Sequence, residues 1–239
     1  MSAQAAVFDM DGTLLNTVAD MGGALNYAMG ACGHRHDFTP DQIRSFFGSG
    51  GQVAICRALA VEKGYGLDQL EQVGTDHDAI SPHLDLALAK KIVGVWEPYY
   101  FAHNAEQTSP YPGIVEMLKK LRENRVFTAV VSNKPDPSVQ VLAEKYFPGC
   151  FDYVVGNSAK MRRKPAPDMV VSALQAGRIS PANAAYIGDS EIDILTGRNA
   201  GTASIAVAWG FRSEAFLRAH QPDLIVHDAA ELCKALLEM

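Results

Sequence analysis

The chain has 239 residues, 48% apolar and 20% charged, with a formal net charge of −6 and a pI near 5.6. That balance fits a globular protein with one large or two modest cores, and an acidic chain without a basic tract is not expected to bind nucleic acid. No segment reaches the ~18 apolar residues of a membrane span, and no basic-then-apolar leader opens the chain. The four cysteines, Cys32, Cys56, Cys150 and Cys233, form no C-x-x-C pair, which argues against a zinc or disulfide framework and suits a reducing compartment; with no apolar span, a cytoplasmic setting and no membrane partner are expected.

Ala5-Ala6-Val7-Phe8-Asp9-Met10-Asp11-Gly12-Thr13 reads as a buried strand that stops at two carboxylates. Side chains alternate along a strand, so Asp9 and Asp11 point the same way while Met10 turns to the core. Two acids that close repel unless a cation or a shared proton sits between them. The pattern suits a metal-assisted phosphoryl-transfer site, and it also suits an Asp-Gly turn with no further role.

From Thr17 to about Trp96 the pattern changes to helical spacing, with no convincing strand. Val18, Met21, Leu25, Ala28 and Met29 form one stripe, and Val53, Cys56, Leu59 and Ala60 a second. Val61–His83 is polar and Gly-bearing, and Leu84, Leu88, Ile92 and Val95 begin a helix that runs on to His103. This segment, residues 17–96, is expected to be an all-helical cap inserted after the first strand, with residues 1–16 and 97–239 forming the core. Within it, Gly48-Ser49-Gly50-Gly51 reads either as a turn whose N–H groups approach a substrate carboxylate or as a plain helix connection. Arg44 and Arg57 flank that turn as carboxylate ligands or as surface charges.

After Thr108 the chain alternates strand and helix. Strands are expected at Val126–Val131, Phe151–Val155, Ala184–Ile187, Ala203–Ala208 and Asp223–Val226. Helical stripes at Ile114/Leu118/Leu121, Val139/Leu142/Tyr146 and Val170/Ala173/Leu174 separate them. Such alternation predicts a doubly wound, Rossmann-like α/β core with a parallel sheet, whose ligands gather at the carboxyl ends of the strands. Ser132 falls at one such end, as phosphoryl-oxygen ligand or helix cap. Lys164 lies in Lys164-Pro165-Ala166-Pro167, where the prolines stiffen the backbone before a helix start near Asp168. Asp189 ends another strand in Gly188-Asp189-Ser190-Glu191-Ile192-Asp193. Asp193, one turn on, either faces the same metal or completes a capping box with Ser190.

Taken in order, Asp9-Met10-Asp11-Gly12-Thr13, Ser132, Lys164 and Gly188–Asp193 resemble the four motifs of the haloacid dehalogenase superfamily, phosphatase branch, over essentially the whole length. The resemblance implies a small anionic phosphate ester as substrate, Mg²⁺ as cofactor, and Asp9 as the nucleophile that becomes an aspartyl-phosphate. It implies Asp11 as the acid and base, and Mg²⁺ held by the Asp9 carboxylate, the Asp11 backbone carbonyl and Asp189. Asp193 would support a metal-bound water or orient Lys164. Ser132 and Lys164 complete the catalytic set; Thr13, Asn133, Gly48, Ser49 and Gly50 are the candidate substrate-binding residues. Softer stretches, among them Leu14-Leu15-Asn16-Thr17, Tyr111-Pro112-Gly113 and Ala208-Trp209-Gly210, resemble phosphoglycolate phosphatases, although Asn16-Thr17 stands where those more often carry Asp-Ser.

Three other readings stay open on the sequence. A sugar phosphomutase would keep the phosphoenzyme and exclude water, but its basic cap residues cannot be placed here. A receiver-like signalling module would accept phosphate without turnover, yet such modules lack the helical insertion. Schiff-base chemistry at Lys63 is the fourth reading; a solvated surface charge explains that lysine far better. The oligomeric state is not legible.

Overall fold

The computed structural model describes residues 3–73 and 85–239; Leu84, the expected start of the last cap stripe, and the polar stretch from residue 74 to His83 lie outside the described residues. Strands β1 (Ala5–Phe8) and β2 (Leu15–Asn16) lead into α1 (Val18–Ala31), α2 (Pro40–Phe46), α3 (Gly51–Glu62) and α4 (Leu86–His103), with a 3-10 turn at Leu67–Gln72. Then follow β3 (Ser109–Pro110), α5 (Ile114–Glu123), β4 (Phe127–Pro135), α6 (Asp136–Tyr146), β5 (Tyr153–Asn157) and α7 (Asp168–Gly177). The chain ends with β6 (Ala184–Gly188), α8 (Glu191–Ala200), β7 (Ala203–Val207), α9 (Glu214–Ala219), β8 (Leu224–Val226) and α10 (Ala229–Glu238). Two compact units result: Met1–Asn16 with Ser109–Met239, and Thr17–Thr108.

The first unit is built on a parallel sheet of order β5-β4-β1-β6-β7-β8. Its strands are apolar on both sides because both faces are covered, the pattern that parallel sheets require. On one face Ala5, Val7, Ala129, Val131 and Tyr186 pack against Met169, Val170, Ala173 and Leu174 of α7. Strand β1 lies between β4 and β6, with Phe8 level with Val130 and Ile187. That is where the order reverses, and the crevice beyond those three carboxyl ends is where such sheets hold ligands. A short antiparallel pair, β2 with β3, adds a second small sheet that alternation did not reveal.

One strand is longer than its apolar run. The expected Val126–Val131 continues through Ser132, Asn133 and Lys134 to Pro135. Its register with β5 shifts between Val131 and Pro135. Here the Lys134 N–H donates to Ser132 Oγ at 3.3 Å, so the polar residues satisfy part of their own backbone at the strand end.

The second unit is helical among its described residues. The stripe of α1 buries Val18, Met21, Leu25, Ala28 and Met29; that of α3 buries Val53, Cys56, Leu59 and Ala60. Thr39 and Gln42 form a reciprocal capping box that starts α2. Helix α4 runs on past Trp96, carrying Tyr100 into the core, and the unit extends to Thr108 where the sequence reading set its edge at 96/97. The reason is Asp20. Buried on α1, it accepts hydrogen bonds from the N–H groups of Glu106, Gln107 and Thr108 and from the Thr108 hydroxyl, at 2.8–3.1 Å. No described helix is long and apolar enough to cross a membrane.

Candidate active site

The loop after β1 is wound tightly: Gly12 N–H donates to Leu15 O, and the N–H groups of Leu14 and Leu15 both reach Met10 O. Gly12 has φ +82°, and a Cβ there would lie 2.1 Å from Asp189 Oδ2. Only glycine can turn the chain here and let a carboxylate in. Gly188, at the end of β6, shares only the close approach: Cβ and Cγ of Asp193 would lie 2.2 Å from an added methyl.

Around this loop the first unit gathers Asp9, Asp189 and Asp193, each offering a carboxylate oxygen within 4.8 Å of the other two, all buried. Lys164 is threaded between them. Its Nζ lies 2.8 Å from Asp9 Oδ1 and 2.7 Å from Asp193 Oδ1, with the side chain 1% exposed. Lys164 is fixed through its own backbone: its N–H donates to Asn133 Oδ1 at 2.8 Å, and Asn133 Nδ2 donates to its carbonyl at 3.2 Å. Asn133, expected to bind substrate, therefore spends both ends of its amide on the lysine segment.

The three acids are not equivalent. Asp193 Oδ2 accepts from the N–H groups of Asp189 and Ser190 and from the Ser190 hydroxyl, at 2.6–3.2 Å. Its Oδ1 faces Lys164 and the Tyr186 hydroxyl. So Asp193 does close the capping box that the sequence allowed, and the same carboxylate orients Lys164. Asp189 accepts from the Phe211 N–H at 2.6 Å and, at 3.5 Å, from the hydroxyl of Thr13. Thr13, another expected substrate ligand, is buried with that hydroxyl toward Asp189. Asp9 Oδ1 is buried and has no well-aligned hydrogen bond, although the Lys164 ammonium is close.

Electrostatics follow from this crowding. Burial raises the Asp9 carboxyl from 3.8 to about 7; Lys164 pulls it down, while Asp193 and Asp11 push it up. Burial, and then the charges of Asp193 and Asp9, hold Asp189 well above the usual carboxylate range. Burial alone would lower the Lys164 ammonium, but Asp193 and Asp9 outweigh it and keep it firmly protonated. One lysine among three buried acids leaves a deficit of positive charge. Oxygen donors, close spacing and an unaligned buried oxygen together fit a hard divalent cation.

Asp11 stands apart from the cluster and pairs with Lys134, Nζ to Oδ1 2.9 Å, their side chains 3% and 14% exposed. Lys134 is a site residue beyond those expected, and its signal lies in the sequence: Ser132 and Lys134 are two apart on a strand and so share a face. Ser132 itself is buried within β4, three residues before its last residue Pro135. The Phe211 N–H on Asp189 was not legible, since a backbone group leaves no trace in residue type. Nor was the Trp209 indole, which donates to Thr13 O at 3.0 Å.

Gly48, Ser49 and Gly50 belong to the helical unit, where they join α2 to α3 and Ser49 is buried. Arg57 is no surface charge: it is 1% exposed and donates to the carbonyls of Ser45 and Phe46. Arg44 pairs with the exposed Asp41 at 2.7 Å. Lys63 is an exposed residue that ends α3.

The haloacid dehalogenase-like hydrolase profile matches residues 6–207, and the chain belongs to that family. A crystal structure from Lactobacillus delbrueckii subsp. bulgaricus ATCC BAA-365, assigned by inference as a phosphoglycolate phosphatase, is 47% identical; the match covers 100% of both chains with a TM-score of 0.97. Phosphoglycolate phosphatase from Vibrio vulnificus CMCP6 is 29% identical over 96% of this chain and 94% of its own. That from Pseudomonas putida KT2440 is 28% identical over 95% of this chain and 77% of its own. The chain is thus a hydrolase of this family, with the parallel α/β core that the motifs implied.

Proposed function

We propose that the protein is a Mg²⁺-dependent phosphatase of small phosphate monoesters, with 2-phosphoglycolate as its preferred substrate, acting through a phosphoryl group on Asp9. The observation that carries this reading is the buried cluster of Asp9, Asp189 and Asp193 around a single lysine. The names of the relatives above supply the substrate. Asp9, Asp189 and the Asp11 carbonyl would hold the ion, and Asp193, already saturated with donors, would serve it indirectly through Lys164. Bound Mg²⁺ would supply charge neutralisation for the phosphoryl oxygens.

Two displacements follow. Asp9 attacks phosphorus, an Asp9–O–P bond forms, the ester P–O bond breaks, and the leaving alkoxide takes a proton from Asp11. Water then loses a proton to Asp11 and attacks the same phosphorus; the Asp9–O–P bond breaks, freeing phosphate and the Asp9 carboxylate. Acid–base assistance of this kind contributes ~10²–10⁴-fold. Lys164, held by Asn133 and Asp193, neutralises charge as an anionic carboxylate meets an anionic ester. Ser132, in the carboxyl-terminal half of β4, would offer its hydroxyl to a phosphoryl oxygen, and Thr13 steadies Asp189.

Phosphate release from 2-phosphoglycolate, hexose phosphates, a nucleoside monophosphate, pyrophosphate and an aryl phosphate, with Mg²⁺ and with excess chelator, tests the reading. A metal-dependent kcat/KM for 2-phosphoglycolate ~10²-fold above the rest, about 2.7 kcal/mol of transition-state preference, is expected. Flat metal-dependent activity would remove the named substrate; no release from any ester would remove the phosphatase.

A further inference from the structure

Lys134 has a place in the site that the two-step scheme does not use. A buried ammonium is costly to keep unless it is paired, and Lys134, with a side chain 3% exposed, reaches Asp11 Oδ1 at 2.9 Å. Lys164 contacts Asp9 and Asp193 instead, so each of the two lysines serves a different acid. The backbone of Lys134 is anchored as well, through its N–H to the hydroxyl of Ser132 on the same strand. Asp11 Oδ1 is buried without an aligned hydrogen bond. The ion pair with Lys134 holds that oxygen.

We propose that Lys134 is a positioning residue that aims the Asp11 carboxylate, engaging Oδ1 and leaving Oδ2 to pass the proton; this rests on the acid–base role proposed for Asp11. In the first displacement the proton moves from Asp11 to the leaving oxygen as the ester P–O bond breaks. In the second it moves from water to Asp11 as the Asp9–O–P bond breaks. An aryl ester has a leaving group stable without that proton, so it needs the aimed carboxylate in the second displacement only.

The test compares wild type, K134M, K134R and D11N, all with Mg²⁺, on 2-phosphoglycolate and on 4-nitrophenyl phosphate. K134M is expected to lose ~10–100-fold in kcat on 2-phosphoglycolate, the cost of a misaimed catalytic group. On the aryl ester it should show a rapid burst of nitrophenolate followed by slow turnover, as phosphoenzyme accumulates, and D11N should do the same. K134R, which keeps the charge, should recover most of the kcat. Wild-type kcat in K134M would overturn the proposal. So would a rise in KM confined to 2-phosphoglycolate, because Lys134 would then bind the substrate carboxylate. Loss without a burst in K134M, beside a burst in D11N, would leave Lys134 a merely structural residue. A D11N enzyme with no burst would overturn the role of Asp11 itself, and this inference with it.

Discussion

Asp20 in the helical unit and Asp9 in the α/β unit are both 5% exposed, yet their surroundings differ in kind. Asp20 meets three backbone N–H groups and a hydroxyl, so the chain itself supplies what water would have supplied. Asp9 meets one lysine, two more buried acids and an oxygen without an aligned donor. Burial alone therefore does not separate a structural carboxylate from a reactive one. The supply of donors does: the first group is finished by folding, and the second is left to be completed by a cation and a substrate.

The comparison breaks most sharply at Lys164. Replacing it by Met leaves Asp9 and Asp193 without their cation, which should cost about 3–5 kcal/mol of stability in chelator at neutral pH, read by denaturant unfolding. Activity should fall ~10³-fold, as expected when a charge-stabilising group is lost. Unchanged stability and turnover would mean that the cluster does not depend on this lysine. Asp20→Asn is the matching change in the other unit. It turns one acceptor oxygen into a donor facing donors, and should cost about 3 kcal/mol while leaving Mg²⁺ affinity, measured by calorimetry, as in wild type. A lost Mg²⁺ affinity would contradict the division drawn between the two carboxylates.

Much of the α/β unit was legible because its signals are local. Apolar β-branched runs marked the strands, and the polar residue after each run marked its carboxyl end, which brought Asp9, Ser132 and Asp189 to the same edge. The allocation of partners was not legible. Asn133 and Asp193 each carry a side chain that suits a ligand or a neighbour equally, and only the fold shows Asn133 clamped to Lys164 and Asp193 filled by Ser190, Asp189 and Lys164. The edge of the helical unit escaped for a similar reason. Residues 104–108 have no helical stripe, and their tie to Asp20 spans a separation in sequence that no pattern reports.

Smaller effects sharpen the same contrast through pH. In the metal-free protein the Asp9 carboxyl sits at about 7 against an ordinary 3.8, so the folded state holds the proton more tightly. Stability from that difference is present below the ordinary value and is lost as pH rises through about 7. A divalent cation offsets the loss, so the rise in Tm on adding Mg²⁺ should grow between about pH 5 and about pH 8. A Mg²⁺ effect that is constant or shrinks across that range would contradict the crowding of acids. The smallest effect is on the surface. Hydrogen bonds to Glu231 and then Glu214 raise His227 above its ordinary value. Its stabilisation is present below that ordinary value and fades as pH rises through the raised one. Glu231→Gln should move the His227 titration, followed by NMR, downward; no movement would remove that pair as the cause.

The most direct measurement is a rapid acid quench of the Mg²⁺-loaded enzyme turning over 2-phosphoglycolate, followed by peptide mass spectrometry. The account predicts a phosphoryl adduct on the peptide carrying Asp9, absent in Asp9→Asn, whose phosphate release should drop ~10⁴-fold or more. Phosphate released at wild-type rate by Asp9→Asn, or an adduct on another residue, would contradict it.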